Sequence, residues 1–254
     1  MGTTTAISWT TSTFNPWWIC TEVSPGCDNC YARVLAKRYG YGWGKGVPRR
    51  VMSDAYWKEP LKWNRLAEAS GEPWRVFCAS MADVMDDEAP ADQRERLWEL
   101  IDATPNLTWQ LLTKRPQRYS RYLPNRFKVW NVWLGASTEN QENYDLRWPL
   151  LAAQRERYAG FVPLFVSYEP ALGPLTLEKH RYRLGDGVPD WIICGGESGS
   201  GRRTMNPRWA ESLRDECKNA EVSFWMKQLS AQTPAKGAAL IPAHLLIHEF
   251  PRAL

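Results

Sequence analysis

Seven short apolar runs recur along the chain, most followed by a stretch of helical periodicity: Ala6–Trp9, Val76–Ser80, Trp109–Thr113, Val132–Ala136, Leu164–Ser167, Trp191–Cys194 and Val222–Met226. Runs of this length bounded by polar turns read as strands. Helical patterning falls near residues 31–39, 55–69, 91–103, 116–122, 140–157 and 207–220. The last opens with Asn206 as a cap and Pro207 at the first helical position, where the missing amide hydrogen costs nothing. Strands alternating with helices predict a parallel sheet with right-handed crossovers. Seven such units point to an α/β fold, a complete or partial parallel (βα) barrel of TIM-like type, rather than a short doubly wound sheet. The 254 residues, 44% of them hydrophobic, suffice for one large core. With no low-complexity segment and no linker, one domain over 1–254 is expected.

In parallel barrels, chemistry collects at the carboxyl ends of the strands. Here those ends carry Cys20, Cys27 and Cys30 after the first run, Ser80-Met-Ala-Asp83 after the second and Thr113-Lys-Arg-Pro116 after the third. Ser137-Thr-Glu-Asn140, Ser167-Tyr-Glu-Pro170, Gly195-Gly-Glu-Ser198 and Lys227-Gln228 follow the remaining four. Any one cluster reads equally well as a helix cap or a solvated turn, which suits Asn140 and Ser198. Polar clusters in register after all the runs predict a shared site.

The three cysteines lie in Asn15-Pro-Trp-Trp-Ile-Cys20 and Ser24-Pro-Gly-Cys-Asp-Asn-Cys30, with no fourth thiol or histidine nearby. Buried packing cysteines are the competing reading, but three within eleven residues, beside glycine and proline, suit a core poorly. The Cys27-x-x-Cys30 spacing lets two sulfurs share one metal centre. A structural zinc site wants four protein ligands, whereas a four-iron cluster on three thiolates leaves one iron open. The missing fourth ligand favours the cluster; zinc stays open.

Net charge is +4, which permits an anionic partner without demanding one. Six cysteines in a chain of this length do not resemble a small secreted disulfide scaffold. Without a signal peptide, a lipidation motif or a long apolar span, a cytoplasmic location and no membrane partner are expected. Most of the 15 tryptophans are read as packing. The Gly40-Tyr-Gly-Trp-Gly-Lys-Gly46 stretch reads as a mobile loop. Its sharper reading is a lid in which rings stack on bases while Lys45, Arg49 and Arg50 meet phosphates.

The run Asn15-Pro-Trp-Trp-Ile-Cys20 with Gly26-Cys-Asp-Asn-Cys-Tyr-Ala-Arg33 resembles the signature of the spore photoproduct lyase branch of radical S-adenosylmethionine enzymes. Ser80-Met-Ala-Asp83 with Pro90 downstream, and Thr113-Lys114, resemble further segments of that branch. The chain is also similar, over nearly its full length, to an uncharacterised bacteriophage family known for a three-cysteine motif. That likeness runs through Leu111-Leu-Thr-Lys-Arg-Pro116, Asn131-Val-Trp-Leu-Gly135, Gly195-Gly-Glu-Ser-Gly199 and Glu249-Phe-Pro251. Two departures stand out. The first gap between cysteines holds six residues instead of the commoner three, and Gly-Gly-Glu follows the sixth apolar run rather than the second.

The resemblance implies a radical-SAM-type barrel with a [4Fe-4S] cluster on Cys20, Cys27 and Cys30. It implies S-adenosylmethionine bound by Ser80, Asp83, Lys114 and Ser137, and a deoxyadenosyl radical that acts on a nucleic-acid base or nucleoside. DNA, RNA or a nucleotide is then the substrate, and a flavodoxin or ferredoxin the reductant. Glu169, Glu197, Tyr168 and Lys227 are the candidates for the substrate-facing half, with structural ion pairing as their alternative role. Two other classes compete: a zinc-dependent barrel enzyme, and a phage-encoded binding protein with a structural metal site.

Overall fold

The strand-helix rhythm resolves, in a computed structural model describing residues 3–124, 131–158, 162–181 and 187–251, into nine strands and ten α-helices among the described residues. In chain order these are β1 (Ser12–Thr13), β2 (Trp17–Trp18), α1 (Tyr31–Arg38), β3 (Arg50–Val51), α2 (Asp54–Trp57), α3 (Glu59–Ser70) and β4 (Trp74–Cys78). Then come α4 (Ala91–Asp102), β5 (Leu107–Thr113), α5 (Tyr119–Tyr122), β6 (Val132–Thr138), α6 (Gln141–Ala152), α7 (Gln154–Arg157) and β7 (Leu164–Tyr168). The chain closes with α8 (Glu178–Arg181), β8 (Trp191–Gly195), α9 (Pro207–Asn219), β9 (Ser223–Gln228) and α10 (Pro234–Ala239). Seven strands form one sheet in the order β1-β4-β5-β6-β7-β8-β9, and every pair whose register is described is parallel. Strands added in sequence order with intervening helices are the topology of a partial parallel (βα) barrel. The chain divides into two compact units, Met1–Val23 with Ala32–Trp133, and Ser24–Tyr31 with Leu134–Leu254.

Strand β7 is buried at all five positions and β8 likewise. That is why these stretches read as unbroken apolar runs rather than alternating ones: parallel strands are covered on both faces. Asn206 caps α9 as expected, its side chain accepting from the Arg208 amide, and Asn140 caps α6 by accepting from the Asn143 amide. The helix expected over 140–157 divides at Ala153, four residues after Pro149 removes an amide donor from α6.

The first strand lies elsewhere than expected. Residues 7–10 form a turn, with the Thr10 amide donating to Ile7 O at 3.4 Å, and the sheet is entered at Ser12 and Thr13, opposite Val76 and Phe77. Trp9, whose indole made residues 6–9 look strand-like, instead packs against the Phe77 ring with centroids 4.6 Å apart. The small antiparallel ladder of Trp17 with Val51 and Trp18 with Arg50 was not legible, because β2 and β3 are two residues each. Among the described residues no helix is long and apolar enough to cross a membrane.

Candidate functional site

The second half of the cysteine loop is held by two buried carboxylates of its own unit. Residues Pro25–Cys27 form a single 3₁₀ turn, in which the Cys27 amide donates to Ser24 O at 2.8 Å, Asp28 to Pro25 O at 3.2 Å and Cys30 to Cys27 O at 3.3 Å. Glu139, just past the end of β6, has a fully buried side chain; it pairs with Arg147 of α6 at 2.9 Å and accepts from the Ser24 hydroxyl. A Cβ on Gly26 would overlap the Glu139 carboxylate, so only glycine lets the turn approach this closely. Glu197, two residues past β8, accepts from the Asn29 side-chain amide at 3.1 Å and from the Arg203 backbone amide at 2.7 Å, and pairs with the Arg203 guanidinium. Arg203 reaches on to Asp28 at 3.2 Å and to Pro25 O at 2.8 Å. Burial works against the Glu197 charge, yet the bonds from Arg203 and Asn29 outweigh it and hold the carboxyl below its ordinary pKa.

The first half is anchored in the other unit. The Thr21 amide donates to Asp86 at 2.8 Å, its carbonyl accepts from Arg115 at 2.6 Å and its hydroxyl oxygen accepts from Arg49 at 2.8 Å. Arg49 and Asp86 form an almost fully buried pair at 2.7 Å, and Arg115 pairs with Asp83 at 2.7 Å. Upstream, the Asn15 carboxamide bonds the Ser80 hydroxyl and accepts from the Met81 amide at 2.7 Å, which ties the Asn-Pro-Trp-Trp run to the end of β4. Ile19, directly before Cys20, sits at φ +82, a region a β-branched side chain rarely occupies, with its amide bound to Met81 O.

Burial opposes the Asp86 charge, but Arg115, the Thr21 amide and Arg49 hold its pKa below the ordinary 3.8. A carboxyl depressed on folding adds stability that is complete above its unfolded-state pKa and is lost as the pH falls through its lower folded value. Asp86→Asn is therefore expected to flatten the loss of stability below about pH 4, read from urea unfolding at stepped pH. An unchanged slope would show that Asp86 is not ionised in this network.

At the carboxyl ends of β6 to β9, three expected residues share one face. Ser137 and Ser167 are register partners, the Ser137 hydroxyl donates to Glu169 O at 3.1 Å, and the Ser167 hydroxyl to the Glu169 carboxylate at 3.2 Å. Lys227 pairs with Glu169 at 2.6 Å. Cys194 stands opposite Met226 and Gly195 opposite Gln228, so Lys227 is the extra residue of a bulge, a device that re-aims a side chain. A Cβ on Gly195 would lie 2.7 Å from Glu169 Oε1, so the carboxylate rests directly on bare backbone. Tyr168 faces the other way, as strand alternation requires of the residue before Glu169. It is fully buried, its hydroxyl donates to Gly173 O, and burial raises its pKa.

Asp83 is committed to its neighbours: it accepts from the Thr113 hydroxyl, the Lys114 and Met85 amides and the Arg115 guanidinium. It sets the backbone that carries Lys114. Arg49, which the alternative lid reading sends to phosphates, is spent in its buried pair with Asp86, whereas Arg50 is exposed and lies over the Trp18 and Tyr41 rings at 5.5 and 4.8 Å. Glu139, Arg147 and Arg203 were missed. The polar cluster Ser137–Asn140 was visible, but nothing in the sequence pairs it with Gly26, or Arg203 with Asp28.

None of the six cysteines is in a disulfide; Cys20, Cys27 and Cys30 are half-buried, while Cys78, Cys194 and Cys217 are buried and burial pushes their thiols up. Cys20 belongs to the first unit, Cys27 and Cys30 to the second. Among the described residues no three His, Cys, Asp or Glu side chains are gathered to hold a metal ion. The chemistry of the donor set fits an iron–sulfur cluster: three reduced, accessible thiols and no imidazole.

No curated protein matches the chain. Among solved structures, a double mutant of spore photoproduct lyase with bound AdoMet and dinucleoside spore photoproduct is 12% identical, with TM-score 0.48 over 84% of this chain and 55% of that one. Spore photoproduct lyase complexed with dinucleoside spore photoproduct is 13% identical, with TM-score 0.47 over 74% of this chain and 56% of that one. The chain thus spans a little over half the length of these two proteins. Residues 4–243 match the sequence model of the family described as Protein of unknown function (DUF5131), and the chain belongs to that family.

Proposed function

We propose that the protein is a radical S-adenosylmethionine enzyme whose Cys20, Cys27 and Cys30 hold a [4Fe-4S] cluster and which modifies or repairs a nucleic-acid base or nucleoside. The observation that carries this reading is the contrast among its thiols. The three in the loop are accessible, and each half of that loop is fixed by buried charge within its own unit, whereas the other three are sealed in the core. When bound, the cluster supplies the electron that splits S-adenosylmethionine into methionine and a deoxyadenosyl radical. Ser80, Lys114 and Ser137 are assigned to S-adenosylmethionine, and Asp83 positions Lys114 through its backbone. Glu169 and Lys227 are assigned to the substrate, with Tyr168 packing behind them. Glu197 holds the loop. A flavodoxin or ferredoxin class protein would supply electrons. The nucleic-acid assignment draws on Arg50 spread over Trp18 and Tyr41, a cation on an aromatic platform of the kind that receives stacked bases and phosphates.

Anaerobic purification tests the first part: a brown protein with about four irons per chain is expected, and a colourless protein with stoichiometric zinc would overturn it. Comparing modified nucleosides from cells with and without the protein tests the second; identical profiles for DNA, RNA and free nucleotides would remove the nucleic-acid substrate. Lys114→Ala is expected to weaken S-adenosylmethionine binding about tenfold or more, the worth of a charge-assisted bond, with iron content unchanged. Equilibrium dialysis without oxygen measures it, and equal affinity would take Lys114 out of the cofactor site.

A further inference from the structure

We propose that Glu197, acting through Asn29 and Arg203, is a positioning residue that shapes the Pro25–Cys30 turn before any metal arrives. The inference extends the reading of Cys27 and Cys30 as iron ligands and rests on it for its purpose. The turn itself is weakly built: three residues of 3₁₀ structure, closed by bonds of 2.8 to 3.3 Å, with no buried residue among them. An isolated turn of this kind pays the full ordering entropy for little burial. What holds it comes from elsewhere in the chain. Glu197 is only 7% exposed and takes four donors, three from Arg203 and one from Asn29, the residue immediately before Cys30. Arg203 spreads the same restraint to Asp28 and Pro25 O, on both sides of Cys27. The guanidinium suits this task because its planar fork serves a carboxylate and two further acceptors at once. Gly195-Gly-Glu197 thus acts on the thiols from the outside.

The test uses the full chain, stripped of iron by a chelator under reducing, oxygen-free conditions. Deuterium uptake across residues 24–31 is compared among wild type, Arg203→Ala and Glu197→Gln, with Arg202→Ala as the control, since among the described residues Arg202 bonds Gly199 O and the Gln232 side chain and not the turn. Uptake about tenfold faster in Arg203→Ala, with uptake in β8 and α9 unchanged, is expected. Arg203 is partly exposed, so this variant tests the clamp even if Glu197→Gln folds poorly. Reconstituted Arg203→Ala should also surrender its iron to a chelator several-fold faster than wild type. Equal uptake in wild type and Arg203→Ala would overturn the proposal. Faster uptake in a protein whose wild type takes up no iron would establish the clamp and overturn the cluster reading instead.

Discussion

Cys27→Ala is expected to emerge from anaerobic purification nearly free of iron and without visible absorption, and Cys20→Ala and Cys30→Ala likewise. A cluster on three thiolates has no ligand to spare, and a replacement would have to come from Cys78, Cys194 or Cys217. None of these can serve. All three are buried, and burial holds their thiols protonated at pH values where ligation needs the thiolate. Cys217→Ala, on the inner face of α9, is the matched control and should keep wild-type iron. Iron and sulfide assays beside the visible spectrum decide the matter. Full iron content in Cys27→Ala would sink the ligand assignment.

The fold was legible where one physical signal dominated. Apolar runs bounded by polar turns located β4 to β9, because parallel strands are buried on both faces and show it in composition. Asn206-Pro207 marked the start of α9 because capping is a local bond. The misplaced first strand shows the limit. Two threonines and a serine over residues 10–12 carry no strand pattern, and their place in the sheet is set by partners more than sixty residues away, as in the Thr10 hydroxyl bond to Arg75 O at 3.1 Å.

The candidate site was legible at the level of clusters and not of side chains. Every polar strand end named from the sequence does carry buried or half-buried polar groups. Which way each points depends on alternation and on one bulge: Glu169 and Tyr168 are adjacent and face opposite sides, and Lys227 reaches Glu169 from the extra residue in β9. The residues that organise the cysteine loop were the least visible. Glu197 was named only as a candidate for the substrate, Glu139, Arg147 and Arg203 are ordinary charged residues in sequence, and the Ser24, Asn29 and Pro25 groups that Glu139, Glu197 and Arg203 hold lie more than a hundred positions earlier.

Glu139→Ala is expected to cost about 3–5 kcal/mol of unfolding free energy, the usual consequence of removing one member of a buried ion pair. The Glu139 side chain is 0% exposed and that of Arg147 4%, so the guanidinium left behind cannot recover its hydration. Its bond to Ser137 O at 2.7 Å satisfies one donor and no charge. The substitution also releases the Ser24 hydroxyl and opens space beneath Gly26, where the carboxylate now fits against bare backbone. Glu139→Gln keeps the volume and an acceptor, so its loss should be smaller, and the difference between the two variants separates packing from charge. Urea unfolding followed by circular dichroism measures both. A loss below about 1 kcal/mol in Glu139→Ala, the range of an exposed pair, would mean that Arg147 swings to solvent or to another acceptor. In that case the first half of the Ser24–Cys30 turn is held by its own backbone bonds, and Glu197 alone anchors the thiols.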